Sequence, residues 1–140
     1  MTIERSVQDV FAVLTHVGNA AKWSRAIEEE LLTPGPMAIG SRRRAVVPTF
    51  AGRTSENVME LTELEPDRRL AMRGVSGFPF DVRIAIDLVR LDGATRLDWL
   101  VSLAPTGLLR PMGPLLAATF RRAFAKDLGN LKAMMEAGAL

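Results

Sequence analysis

The stretch VRIAIDLVRLDGATRLDWLVSL, residues 82–103, decides the fold class. Apolar residues occupy every second position from Val82 to Leu88, and the run from Leu97 to Leu103 again carries one wholly apolar face. Asp92-Gly93 lies between the two runs, and an Asp-Gly pair in that place is typical of a β-hairpin turn. The stretch therefore predicts two antiparallel strands that share one buried face.

The pattern of short strands extends through residues 25–105. Glycine and proline interrupt this region repeatedly, and the segments between them have the length of strands. The interruptions are Pro34-Gly35-Pro36, Gly40, Pro48, Gly52, Pro66-Asp67, Gly77–Pro79 and Asp92-Gly93. Because no helix separates the segments, we expect a meander of about six antiparallel strands.

After Pro114 the apolar period changes from two residues to the helical value. Residues 115–137 are rich in good helix formers, Pro114 suits the first helical position, and Gly138 suits the end. One side of this predicted helix is apolar, and it consists of Leu116, Phe120, Phe124, Leu131, Met134 and Met135.

Two short helices are predicted before the strands. Ser6 can cap the first, with Asp9 three residues on, and its apolar face is Val7, Val10, Phe11 and Leu14. Asn19 can cap a second, from Ala20 to Trp23. Strands followed by one long helix indicate an α+β domain, with a curved antiparallel sheet wrapped around the C-terminal helix.

The composition is that of one ordinary globular domain. The 140 residues are 48% hydrophobic and 24% charged, which suffices for a core without metal or disulfide staples. Since the chain has no cysteine, disulfides, thiol nucleophiles and cysteine metal sites are excluded. No apolar run approaches the roughly 20 residues of a membrane span, and the start does not resemble a signal peptide. We therefore expect a cytoplasmic protein with no stable membrane insertion.

The densest positive charge is Arg42-Arg43-Arg44, in a chain of formal net charge +2. It lies in a strand-like stretch, where successive side chains point to opposite faces. A continuous stripe that follows a phosphate backbone is therefore not expected, and the sequence predicts no nucleic-acid partner.

Several segments along nearly the whole chain resemble one known superfamily. They are Val10-Phe11 to Leu14, Trp23, Met37 to Gly40, Glu60 to Leu70, Asp92 to Arg96 and Asn130 to Lys132. With the order of elements, they resemble the START-like helix-grip superfamily (SRPBCC), in particular its polyketide cyclase/dehydrase and lipid transport branch. Members normally begin with a full strand, whereas here only Thr2 to Arg5 is free for one. The resemblance implies a single START-like ligand-binding domain over residues 1–140.

A bent sheet around one helix leaves a gap at its wide end unless bulky side chains fill it. The residues predicted to face this gap and bind a small hydrophobic ligand are Met59, Leu61, Met72, Ile84, Ile86, Leu97, Trp99, Val101, Phe120, Phe124 and Leu131. Methionine and aliphatic side chains suit a pliable apolar site, although each residue could equally belong to a filled core. An empty pocket of about 300 Å³ would lower the free energy of unfolding by an amount on the order of 7 kcal/mol. We therefore expect the pocket to contain water, to be narrowed or to be occupied by a ligand.

Asp127 is the weak candidate for chemistry. Its helical phase places it beside the apolar stripe, between Phe124 and Leu131. An inward carboxylate could bind a ligand hydroxyl or act as a general base with a raised pKa. The alternative is that Asp127 lies at the margin of the stripe and pairs with an arginine from the sheet.

The remaining polar residues carry no catalytic signature. His16, the one histidine, suits the end of the first helix, and no G-x-S-x-G elbow, phosphate loop or dinucleotide fingerprint accompanies it. The strand charges Arg73, Asp81, Arg83, Asp87, Arg96 and Asp98 resemble cross-strand pairs on a solvated face. No metal and no cofactor is therefore expected.

Three functions stay open on the sequence. The first is binding or carriage of a lipid-like, aromatic or isoprenoid molecule, which needs only the pocket. The second, implied by the resemblance, is an aromatase/cyclase-type enzyme acting on a polyketide-like substrate, with Asp127 as its candidate. The third is a protein-interaction module whose contact surface is the apolar segment Leu108–Met112, and a second copy of the chain is one possible partner. The same segment could instead be a lid over the pocket.

Overall fold

In the part of the chain that the structure describes, the fold consists of a seven-stranded antiparallel sheet and three helices. The computed structural model describes residues 1–49, 51–78, 80–105 and 111–140, without the side chain of Pro105. The strands are β1 (Thr2–Ile3), β2 (Glu28–Leu31), β3 (Arg42–Pro48), β4 (Thr54–Glu65), β5 (Arg69–Ser76), β6 (Phe80–Arg90) and β7 (Thr95–Pro105). Their order across the sheet is β1-β7-β6-β5-β4-β3-β2.

The hairpin predicted from residues 82–103 is confirmed. Strands β6 and β7 pair antiparallel from Phe80 opposite Pro105 to Arg90 opposite Thr95. Gly93 has a φ of +73°, which glycine adopts without strain, and the Leu91 N–H donates to the Ala94 carbonyl at 2.9 Å. The buried residues of β6 are the alternating apolar ones: Val82, Ile84, Ile86 and Leu88.

The helices are α1 (Val7–Thr15), α2 (Ala20–Trp23) and α3 (Gly113–Glu136). The predicted cap of α1 is present, because Ser6 Oγ accepts a hydrogen bond from the Asp9 backbone N–H at 3.2 Å. The predicted cap of α2 is confirmed in its position but not in its bonding. Asn19 occupies the capping position, but its φ and ψ are already helical (−68° and −30°) and its side chain makes no capping bond.

The curved sheet wraps around α3, as the apolar periodicity predicted. Leu128, Leu131 and Met135 of α3 are fully buried in the core together with Ile3, Val10 and the inward residues of β6 and β7. Arg5 fixes the end of the helix by donating to the carbonyls of Met135 at 2.8 Å and Leu140 at 3.0 Å. No helix in the described ranges is long and apolar enough to cross a membrane.

Candidate functional site

A cavity lies between the concave face of the sheet, α2 and α3. It holds about 850 Å³ of space not occupied by atoms, including the solvent at its open mouth. The lining residues come from eight helices and strands, from the segment after α2 and from the turn before β6. They are Leu14, Ala20, Trp23, Ser24, Arg25, Ala26, Glu29, Arg43, Ala45, Val47, Asn57, Met59, Leu70, Met72, Phe78, Ile84, Ile86, Phe120, Phe124 and Asp127.

Aromatic side chains of α3 form one side of the cavity. Phe120 and Phe124 lie one helical turn apart, with ring centroids 6.5 Å from each other and planes nearly parallel. Phe80 meets Phe120 edge to face at 5.5 Å, and Phe78 is 6.2 Å from Phe80. These distances lie in the range of favourable aromatic pairs, so the rings give this side of the cavity a fixed shape.

Asp127 is buried at the cavity wall, with 8% of its surface exposed. Burial raises the pKa of its carboxyl group, and the nearby Arg25 guanidinium and Lys126 ammonium groups counteract this effect. Arg25 Nε lies 3.9 Å from Asp127 Oδ2. Asp127 therefore pairs with an arginine, as predicted, but this arginine does not come from the sheet. Arg25 belongs to the segment between α2 and β2.

A second charged pair, from β2 and β3, also lines the cavity. Glu29 of β2 and Arg43 of β3 form an ion pair, and only 3% and 12% of their side chains are exposed. Glu29 also accepts a hydrogen bond from the Gly18 backbone N–H at 2.9 Å. Both charges are thus held by partners within the protein, which is what burial of an ion requires.

Trp23 carries a polar group that forms no hydrogen bond within the described part of the protein. This side chain of α2 lines the cavity and is 8% exposed. Within the described residues, its indole N–H is the one buried side-chain polar group that has no hydrogen-bond partner. A buried donor without an acceptor costs free energy, so an acceptor on a bound molecule could relieve that cost after a small side-chain movement.

Six of the residues predicted to bind a ligand line the cavity together, and they are Met59, Met72, Ile84, Ile86, Phe120 and Phe124. Leu61, Leu97, Val101 and Leu131 are buried elsewhere in the core and are not among the lining residues. Trp99 lies opposite Ile86 in the sheet but is 36% exposed and does not line the cavity either. Ligand binding by any of these residues stays a prediction.

The other polar candidates lie outside the cavity. His16 follows α1 and is exposed. Arg73 forms an ion pair with Glu60 of the neighbouring strand, and Asp87 forms one with Arg69 of the neighbouring strand. Arg96 pairs instead with Asp98 of its own strand. Asp81 and Arg83 are exposed. Of the segment Leu108–Met112, residues 108–110 lie outside the described residues, and Met112 is half exposed.

The three arginines at positions 42–44 divide between the two faces, as predicted. Arg43 points into the cavity, whereas Arg42 pairs with Glu60, and Arg44 with Glu28, Glu30 and Glu56. In the described part of the chain, no group of three His, Asp or Glu residues could hold a metal ion.

Sequence reasoning missed the polar wall. Glu29, Arg43, Arg25 and Asn57 were not among the predicted site residues, although Glu29 and Arg43 left a visible signal. Three consecutive charges in a strand place at least one on the buried face. That rule applies to Glu28-Glu29-Glu30 as well as to residues 42–44.

A family model described as polyketide cyclase / dehydrase and lipid transport matches residues 1–136. The match spans the sheet, all three helices and every residue that lines the cavity. No curated protein sequence matches the chain.

Solved structures share the fold. The Zhui aromatase/cyclase from Streptomyces sp. R1128 has a TM-score of 0.78 at 21% identity, over 97% of this chain and 90% of that one. The protein TTHA0849 from Thermus thermophilus has a TM-score of 0.76 at 14% identity, over 100% and 96% of the two chains. The di-domain ARO/CYC BexL from the BE-7585A biosynthetic pathway has a TM-score of 0.78 at 15% identity, over 97% of this chain and 44% of that one.

Proposed function

Since the chain belongs to the polyketide cyclase/dehydrase and lipid transport family, we propose that it binds a small, largely apolar molecule in the cavity between the sheet and α3. The ligand has a flat or flexible hydrocarbon body that packs against Phe120, Phe124 and the strand side chains. It also carries a few hydroxyl or carbonyl groups that meet the polar wall.

One observation carries this proposal: the cavity joins an aromatic wall to buried polar groups that converge on the same space. Ligand sites are typically apolar clefts with a small number of well-placed polar groups. Here those groups are the Glu29–Arg43 pair and Asp127. A core filled only for stability would avoid them, because buried charges stabilise a fold less than apolar side chains of similar volume.

The proposal is tested by titration with N-phenyl-1-naphthylamine, a neutral dye that becomes fluorescent in apolar sites. We expect saturable binding of one dye per chain. Substitution Ala45→Leu places a larger side chain in the cavity lining, and we expect it to weaken dye binding by about tenfold, since overpacking costs roughly 1–3 kcal/mol.

The matched control is Ala104→Leu, the same change at an exposed position of β7. It is expected to leave dye affinity unchanged. The proposal fails if the wild-type protein does not bind the dye, or if the two variants bind it equally well while both remain folded by circular dichroism.

A second candidate function is general-base catalysis, in which a carboxylate removes a proton from the carbon beside a ligand carbonyl. The position and the pKa of Asp127 support it. Because burial raises the pKa of this cavity-lining carboxyl group, its conjugate base is a stronger proton acceptor than an exposed aspartate. The carboxylate would take a proton from the carbon beside a ketone, and the resulting enolate would then be free to attack a second carbonyl.

Deuterium exchange at the methyl group of 2-acetonaphthone, followed by NMR in D₂O, tests this second function. We expect the wild-type protein to accelerate exchange and Asp127→Asn to abolish the acceleration while it retains dye binding. If the exchange rate is the same with wild type and with Asp127→Asn, Asp127 is not a general base, and the binding function alone remains.

A further inference from the structure

A recess on the surface adjoins the mouth of the cavity. It holds about 610 Å³ including open solvent and is lined by Ser24, Arg25, Ala123, Lys126, Asp127 and Asn130. Ser24, Arg25 and Asp127 line both the recess and the cavity. These three residues therefore lie between the two spaces, so that the recess is adjacent to the cavity.

The recess is cationic. Among the described residues that line it, Arg25 and Lys126 contribute two positive charges and Asp127 is the one acid. In the described part of the chain no carboxylate forms an ion pair with Lys126, so its ammonium group is available to an anion from solution.

Arg25 is held at the boundary by its contacts. Its guanidinium carbon lies 5.6 Å from the centre of the Phe120 ring, and its Nε lies 3.9 Å from the Asp127 carboxylate. The side chain is 39% exposed. One part of the guanidinium group thus packs against the aromatic wall, while the rest can donate hydrogen bonds to an anion outside it.

We propose that the recess is an anion subsite, so that the ligand carries a carboxylate, sulfonate or phosphate group at the end that remains near the surface. This inference rests on the proposed function, because the apolar part of the same molecule must occupy the cavity. Arg25 and Lys126 bind the anion, and Asn130 is placed to donate a further hydrogen bond.

Two dyes that differ by one anionic group test the inference. N-Phenyl-1-naphthylamine is neutral, and 8-anilinonaphthalene-1-sulfonate is the same molecule with a sulfonate on the naphthalene ring. We expect Lys126→Gln to lower the affinity for the sulfonate up to about fivefold, the upper range for a solvent-exposed ion pair, and to leave the affinity for the neutral dye unchanged. Added salt should weaken binding of the sulfonate only.

Arg122→Gln is the matched control, because Arg122 lies on the same helix, is exposed and does not line the recess. It should change neither affinity. Arg25→Gln should lower sulfonate affinity more than neutral-dye affinity, and Arg25→Lys, which keeps the charge, should restore part of the loss.

The outcomes separate the two proposals. If the neutral dye binds but Lys126→Gln and Arg25→Gln leave the sulfonate affinity unchanged, the anion subsite is overturned and the binding cavity stands. If neither dye binds the wild-type protein, both proposals are overturned. If Arg25→Gln does not fold, Lys126→Gln, at an exposed position, decides the question.

Discussion

Gly77 follows β5 at a point where the backbone leaves no room for a side chain. Its φ is +84°, and a Cβ atom there would overlap the carbonyl oxygen of Glu56 and lie 2.7 Å from Asn57 Cα. Both obstacles are backbone atoms of β4, which cannot rotate away. We expect Gly77→Ala to lower the free energy of unfolding by roughly 2–5 kcal/mol, from the left-handed φ and the overlap together.

Gly35 provides the control for Gly77. Its φ is +83°, nearly the same value, but no atom lies within 4 Å of the position of its Cβ. Gly35→Ala should therefore cost only about 1–2 kcal/mol, the part due to φ. Urea unfolding measures both variants, and equal losses would show that the contact with β4 is not the cause.

Asp127 gives the protein a specific pH dependence. Its folded-state pKa is raised by burial, so the folded state favours the protonated acid. As pH rises from the unfolded pKa of about 3.9 through the folded value, wild-type stability is lost at this site, whereas an asparagine loses none. We expect the stability of Asp127→Asn, relative to wild type, to increase between about pH 4 and pH 7.

Urea unfolding of both proteins at the two pH values measures this difference. Carboxylates with lowered pKa values, including Glu56, Glu60 and Glu136, affect wild type and variant alike, so they cancel. A relative stability that does not change with pH would contradict a raised pKa at Asp127.

At the scale of elements, β2 and β3 are joined by the Glu29–Arg43 pair. Removal of one partner leaves the other charge buried without compensation, which usually costs about 3–5 kcal/mol. We expect Arg43→Met and Glu29→Gln each to destabilise by roughly that amount. The double variant should lose less than the sum, by about 1–3 kcal/mol, because no isolated charge remains.

The exposed pair of Glu28 and Arg44 joins the same two strands and serves as the comparison. Glu28 has 61% of its side chain in solvent, and Arg44 keeps two other glutamate partners. Glu28→Gln should therefore change stability by less than about 1 kcal/mol. If chemical denaturation finds the same cost for Glu28→Gln and Glu29→Gln, the cavity-side pair is not desolvated.

The elements could be predicted from sequence because their signals are local. The alternation from Val82 to Leu88 and the helical period after Pro114 each fall within one segment. The Glu29–Arg43 pair joins residues 14 positions apart, and its geometry depends on how β2 aligns with β3. Alternation also placed Trp99 on the face of Ile86. Trp99 is nevertheless 36% exposed, because alternation fixes the face of a side chain but not what packs against it.

For the whole molecule, the open cavity connects ligand binding to stability. A molecule that binds only the folded state stabilises it by RT ln(1 + [L]/Kd), which is about 1.4 kcal/mol at ten times Kd. For a chain of 140 residues, this corresponds to a rise in Tm of roughly 4 °C. We expect N-phenyl-1-naphthylamine to produce that shift in differential scanning calorimetry, and the shift to grow with the logarithm of dye concentration.

The Ala45→Leu variant distinguishes the cavity from other places where an apolar dye could bind. Leucine at this position occupies part of the space that the dye needs, so the variant should show a clearly smaller dye-induced shift than wild type at equal dye concentration. Leu100, on β7, is 67% exposed and does not line the cavity, so a dye bound there would not respond to residue 45. Equal shifts in Tm for the two proteins would therefore show that the dye binds on the surface and that its stabilising effect does not come from the cavity.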